Sequence, residues 1–180
     1  MKATRSLLAA MVLGTAIGAS QANAQTSCGG IGTCNQTNTA SVAVPALVKM
    51  TMSSLTTSLT SPSANDIDAG AVIANVGPTF TIKANRSWTL KIKSVNAVDW
   101  TYVGSNAGVK PISDLAWSTS AGGTYAAITN SDVTFASGAS ATNSGAAAAF
   151  FKTTWIADFA SQANVEGTYS LPIMFTLSAP

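Results

Sequence analysis

Cys28 and Cys34 are the only two cysteines of the 180-residue chain, and three of the five residues between them are glycines. In an oxidising compartment such a pair closes a small disulfide loop. Gly29, Gly30 and Gly32 let so short a loop close with little strain. Free thiols or an intermolecular link are the alternatives. A zinc centre needs about four ligands, and two thiols in a chain without histidine are a poor start for one. Redox dithiols usually have two intervening residues, and this pair has five. No metal site is assigned.

The missing histidine also removes the usual base of serine and cysteine nucleophiles. Glycoside hydrolysis needs two positioned carboxylates. Seven acidic residues are present, but none has a distinctive setting, and Glu166 before Gly167 reads as a solvated turn residue. Phosphate loops and dinucleotide fingerprints are absent. No catalytic residue and no cofactor is assigned, and the chain reads as non-enzymatic.

Two further clusters have chemical content. Asn65, Asp66 and Asp68 ahead of Gly70 resemble part of a calcium loop, but the later bidentate glutamate is missing. A turn in which Asn and Asp cap local backbone groups is the preferred reading. Among the four tryptophans, Trp88 and Trp117 share faces with Leu90 and Leu115 and read as core. Trp100 and Tyr102 share a face between loops, so they are the candidate pair for stacking on a carbohydrate ring or another flat ligand, against core packing as the simpler role. Asn35-Gln36-Thr37 and Asn85-Arg86-Ser87 match the glycosylation pattern, which is short enough to recur by chance.

The elements that must position these residues have a period of two. Phe80, Ile82 and Ala84 alternate with polar residues. So do Trp88, Leu90 and Ile92 after a turn at Asn85-Arg86. Such runs present one buried and one wet face, and their short connection predicts a hairpin. Tyr169, Leu171, Ile173, Phe175 and Leu177 form a C-terminal strand face, in which Pro172 belongs at an edge or a bulge. Ser41–Met52 reads as an extended segment bent at Pro45. Short strands are expected at 55–59, 99–103, 115–118, 125–128 and 133–135, with turn-rich pieces at 104–108, 121–123 and 137–145. Ala146–Ala160 is read as a strand over about 150–156, with a helix as the alternative because Phe150, Phe151, Thr154, Trp155 and Phe159 also fit helical spacing. Eight to ten short strands with frequent turns predict a β-sandwich.

The N-terminus reads as an address. Lys2 and Arg5, the apolar run from Leu7 to Ile17, and Ala22-Asn23-Ala24 before Gln25 follow the three-part order of a secretory signal. The apolar run is shorter than the roughly 20 residues of a membrane helix, and no later run is long enough. The expected organisation is a removed signal at 1–24, a leader with a disulfide loop at 25–36, and one sandwich domain at 37–180. Nine basic residues oppose seven acidic ones, and two of the nine lie in the signal. The remainder is formally neutral. That gives no electrostatic footprint for nucleic acid and little repulsion between copies.

The stretches VGPTFTIKANR (76–86) with SWTLKI after it, KPISDLAWSTSAGGTYAAI (110–128) and EGTYSLPIMFTLSAP (166–180) resemble a group of exported bacterial sandwich domains. The group is similar in layout to WxL-type cell-wall domains and to pilin-like domains. The resemblance rests on strand patterns over most of residues 37–180. It implies an immunoglobulin-like antiparallel β-sandwich, a secreted or surface location outside the cytoplasm (periplasm included), and no active site. Typical pilins of the chaperone–usher type have a disulfide within the sandwich and a tyrosine near the C-terminus. Here the cysteines precede the first strand and the chain ends Leu177-Ser178-Ala179-Pro180. A second WxL-type motif is absent.

The expected function is that of an exported structural protein that self-associates into a fibre or surface layer, or that joins other surface proteins. The alternative is a secreted carbohydrate- or ligand-binding module built on Trp100 and Tyr102.

Overall fold

The computed structural model describes residues 29–179. The signal reading of residues 1–24, and Cys28, therefore lie outside the described residues. The chain divides into two compact units, Met1–Ala43 and Val44–Pro180. In the first, residues 29–43 are exposed and contain no strand or helix.

The second unit is an antiparallel β-sandwich with ten strands among the described residues: β1 (Val48–Met52), β2 (Val72–Ala84), β3 (Trp88–Ser94), β4 (Thr101–Val103), β5 (Leu115–Ser118), β6 (Ala126–Ala127), β7 (Val133–Gly138), β8 (Thr142–Thr154), β9 (Thr168–Ser170) and β10 (Ile173–Ser178). One sheet runs β1-β2-β8-β5-β6, the facing sheet runs β10-β3-β7, and β4 with β9 forms a two-stranded ribbon. A short α-helix, α1 (Ala64–Asp68), precedes β2.

The period-two pattern places its residues as expected. Phe80, Ile82 and Ala84 on β2 and Trp88, Leu90 and Ile92 on β3 are all buried. The expected hairpin between these strands does not form. β2 pairs with β1 and β8, while β3 pairs with β7 and β10. Residues 85–87 thus carry the chain across the core from one sheet to the other. An alternating strand buries one face equally well beside its neighbour or opposite it, so alternation could not distinguish the two. The sheets meet through aromatic rings. Phe80 lies 4.6 Å from Phe175 and 5.6 Å from Phe135 between ring centroids, and Trp117 lies 5.4 Å from Phe135. Each such ring removes a large apolar area from water, which is the main source of cohesion between the layers.

β8 settles the helix-or-strand question for Ala146–Ala160: it is strand through Thr154 and loop beyond. It also begins at Thr142, so of the expected turn-rich piece 137–145 only 139–141 lies between strands. Residues 55–59 form no strand, and within Ser41–Met52 only Val48–Met52 does. In the middle of β2 the register with β8 shifts between Val76 and Thr79. This bulge holds Pro78, which has no N–H for the ladder. It also holds Gly77, where a Cβ would lie 2.5 Å from Phe151 Cε2. Pro172 sits between β9 and β10, where pairing passes from β4 to β3. Its carbonyl accepts the Val95 N–H at 2.9 Å.

Candidate assembly edge

β1 is the outer strand of the five-stranded sheet and β10 is an outer strand of the facing sheet. The two pack beside each other. Register identifies their inward faces. Val48, Met50 and Met52 stand opposite Ala84, Ile82 and Phe80, and Ile173, Phe175 and Leu177 stand opposite Ser94, Ile92 and Leu90. Directly opposed residues of an antiparallel pair share a face, so both triplets point at the core.

Burial falls off sharply at this seam. Ile82 and Leu90 are 0 % exposed, whereas their partners Met50 and Leu177 are only partly buried and Val48 is 41 % exposed. Phe175 and Ile173 are likewise partly buried. Among the described residues, no further strand pairs with the outer side of β1 or β10. The seam therefore combines two sets of unpaired backbone groups with a row of incompletely covered apolar side chains. That is the pattern that accepts an added strand.

The chain enters β1 through an anchored corner. Asn85 Oδ1 accepts the Leu47 N–H at 2.8 Å, and Asn85 Nδ2 donates to the Pro45 carbonyl at 2.8 Å. Upstream of that corner, residues 36–44 are exposed and carry no regular structure, with Val42 89 % exposed.

The residues singled out from sequence lie elsewhere. Trp100 is buried in the core, and its indole Nε1 donates to the Pro111 carbonyl at 3.1 Å. Tyr102 is half-buried. Its hydroxyl donates to the Glu166 carbonyl at 2.6 Å, and its ring lies 4.9 Å from that of Tyr169, its cross-strand partner. Gly104, Gly108 and Gly167 press against the Tyr102 ring so closely that a Cβ at any of them would collide with it. Both rings are thus occupied by packing, and Trp100 presents no face to solvent. Asp66 takes the local role expected of it: it closes a capping box with Ser63, whose backbone N–H donates to Asp66 Oδ2 at 2.8 Å. Hydrogen bonds from Ser63 hold its carboxyl below the usual range. Among the described residues no group of acidic, cysteine or histidine side chains converges as a metal site. No described helix is long and apolar enough to cross a membrane. No described cysteine is a free thiol.

One buried cluster was not foreseen. Lys110 is 1 % exposed, with its ammonium 3.0 Å from Asp114 Oδ2, 2.7 Å from the Thr154 carbonyl and 4.2 Å from the Trp155 ring centroid. The i,i+4 spacing of Lys110 and Asp114 was its sole sequence signal. Two shallow hollows lie on the surface. One, of about 220 Å³, is walled by hydroxyls including Ser53, Thr56 and Ser58. The other, of about 280 Å³, lies between Lys49, Lys83, Leu47, Val48 and Asn143.

No protein-family model and no curated protein matches the chain. Among solved structures, a chain from a chaperone–usher pilus, described in work on rod uncoiling, is similar at 12 % identity with a TM-score of 0.46. The match covers 86 % of this chain and all of that one.

Proposed function

We propose that this protein is an exported, non-enzymatic structural subunit that joins copies of itself into a fibre or surface layer by strand addition. The observation that carries this reading is the β1–β10 seam, where Met50, Met52, Ile173, Phe175 and Leu177 face the core but remain partly open. The donor in this reading is the extended stretch ahead of β1. There Ala40, Val42 and Val44 alternate with Ser41 and Ala43, the pattern that fits one apolar edge of an open sandwich. With no charge of its own, that stretch enters an apolar seam at low desolvation cost. A Cys28–Cys34 disulfide at the head of the leader is part of the proposal. It would staple the leader's beginning in an oxidising compartment.

The test compares the full chain with a variant lacking residues 36–43 and with Val42→Lys, by light scattering over a concentration series and by electron microscopy. Concentration-dependent assembly that is lost in both variants, with the near-ultraviolet circular dichroism of the sandwich kept, is the expected result. Equal assembly of all three chains would overturn strand donation from this segment. A chain that stays monomeric throughout would overturn the fibre reading.

A further inference from the structure

Formal neutrality of the chain beyond residue 24 hides a strong separation of charge. Strand register, with the loops and turns that follow each strand, locates the charged residues along the sandwich. One pole is set by Val48, Ala84 and Thr142, which stand side by side at strand ends, and by the arch at residues 85–87. The other pole is set by Val72 paired with Thr154, by α1 just ahead of β2, and by the loops around β4 and β9. β2 spans both, roughly 40 Å at the rise of an extended strand.

Lys49, Lys83 and Arg86 lie at the first pole, and no acidic residue does. Lys49 and Lys83 are direct cross-strand partners, an arrangement that costs stability unless an anion is near. All seven acidic residues lie toward the second pole. Asp132 and Asp114 are paired with Lys93 and Lys110. Asp66, Asp68, Asp99, Asp158 and Glu166 have no ion-pair partner among the described residues. Lys91 lies between the poles. Lys152, opposite Ala74, lies toward the acidic pole, with its ammonium over the Tyr125 ring at 4.2 Å, and there it offsets one of the five unpaired acidic charges.

Each pole also has apolar content. The hollow between Lys49 and Lys83 is walled by Leu47 and Val48. At the acidic pole Asp158 stands between exposed Ile156 and Phe159, the latter 58 % exposed.

We infer that the two poles are a complementary pair of docking surfaces, and that the acidic pole of one copy seats on the basic pole of the next. The occupant of each is thus a second copy of this chain. The inference rests on the fibre reading and deepens it: it assigns a head-to-tail polarity and a second contact, independent of strand addition. Contact between unlike poles neutralises the Lys49–Lys83 repulsion. Contact between like poles is repelled, so the charge pattern selects the direction of growth as well as raising the encounter rate. A heterologous contact of this type propagates rather than closing at a dimer.

The experiment measures association of the full chain at low and high salt, for wild type and three variants. The basic-pole variant is Lys49→Glu with Lys83→Glu, the acidic-pole variant is Asp158→Lys with Glu166→Lys, and the third combines all four changes. Wild-type association should weaken about tenfold or more from 20 mM to 500 mM salt, as screening of exposed charges requires. Each single-pole variant should lose about tenfold at low salt, the scale expected when several exposed pairs turn from attractive to repulsive. The combined variant should recover most of that loss, because its poles are again unlike. All four positions are exposed, and the salt series on wild type needs no variant at all. Salt-independent association that both single-pole variants leave unchanged would overturn the inference. If deleting residues 36–43 leaves association intact while the combined variant still rescues, pole docking stands and strand donation fails. If deletion abolishes association while pole reversal does nothing, the opposite holds.

Discussion

Lys110 and Asp114 form an ion pair of 3.0 Å beneath the Trp155 ring, at the end of the sandwich where β8 gives way to loop. The pair joins the 3₁₀ turn Ile112–Asp114 to the Thr154 carbonyl at the end of β8. A buried pair of this type adds little net stability against an apolar substitute of the same volume, but loss of one partner leaves a charge uncompensated. Asp114→Ala should therefore destabilise by about 2 kcal/mol, and Lys110→Met by less. Urea unfolding of the two variants gives the comparison.

The same lysine sets a pH dependence. Burial holds its ammonium below the ordinary 10.5, with Asp114 opposing that shift. Between the depressed native value and 10.5 the unfolded chain binds more protons at this site, so stability from Lys110 rises with pH across that window and is lowest below it. The wild-type minus Lys110→Met difference in melting temperature should therefore shift in favour of wild type as pH climbs toward 10.5. Thermal melts of both chains in matched buffers measure it.

Gly77 stands against Phe151 with no room for a methyl group. Gly77→Ala should cost about 1–3 kcal/mol through overpacking. Gly77→Ala with Phe151→Leu should be less destabilised than the sum of the two single changes, since the shorter side chain vacates the contact. A double-mutant cycle by chemical denaturation decides it.

Centre and edge of the core should respond differently to truncation. Ile82→Ala empties a fully buried site and should cost about 3 kcal/mol or more. Leu177→Ala, at the partly open seam, should cost about 1 kcal/mol, because less area leaves water there. Under the proposed strand addition the Leu177→Ala penalty should be larger in assembled than in dispersed protein, which denaturation of the two can compare.

Asn85→Ala should remove both hydrogen bonds that pin the entry to β1. The expected cost is about 1 kcal/mol. Hydrogen exchange at the Leu47 amide should speed up while exchange in β2 stays unchanged.

Much of the fold was legible in the chain because its causes are local. Alternation at 80–84, 88–92 and 173–177 reports a half-buried strand wherever that strand lies. The turn at Asn85-Arg86 was visible for the same reason. What that turn joins was not visible, because a hairpin and an arch between sheets bury the same side chains. Trp100 and Tyr102 drew notice as aromatics between loops. Only their surroundings, a buried indole and a ring wedged by three glycines, show that packing uses them.

Strand faces, the lack of histidine and the cancelling charges of residues 25–180 are properties of residue order and composition. Pairing between distant segments is not. The antiparallel sheets bring β1, the end of β2 and the start of β8 to one pole, and α1 with the loops beyond β8 to the other. Residues far apart in the chain thereby become neighbours, and residues 25–180, whose formal charges cancel, become a domain with a basic end and an acidic one. Net charge is a sum, and a sum carries no positions. Tertiary structure supplies the positions, and with them the seam at β1 and β10 and the two poles through which copies are proposed to meet.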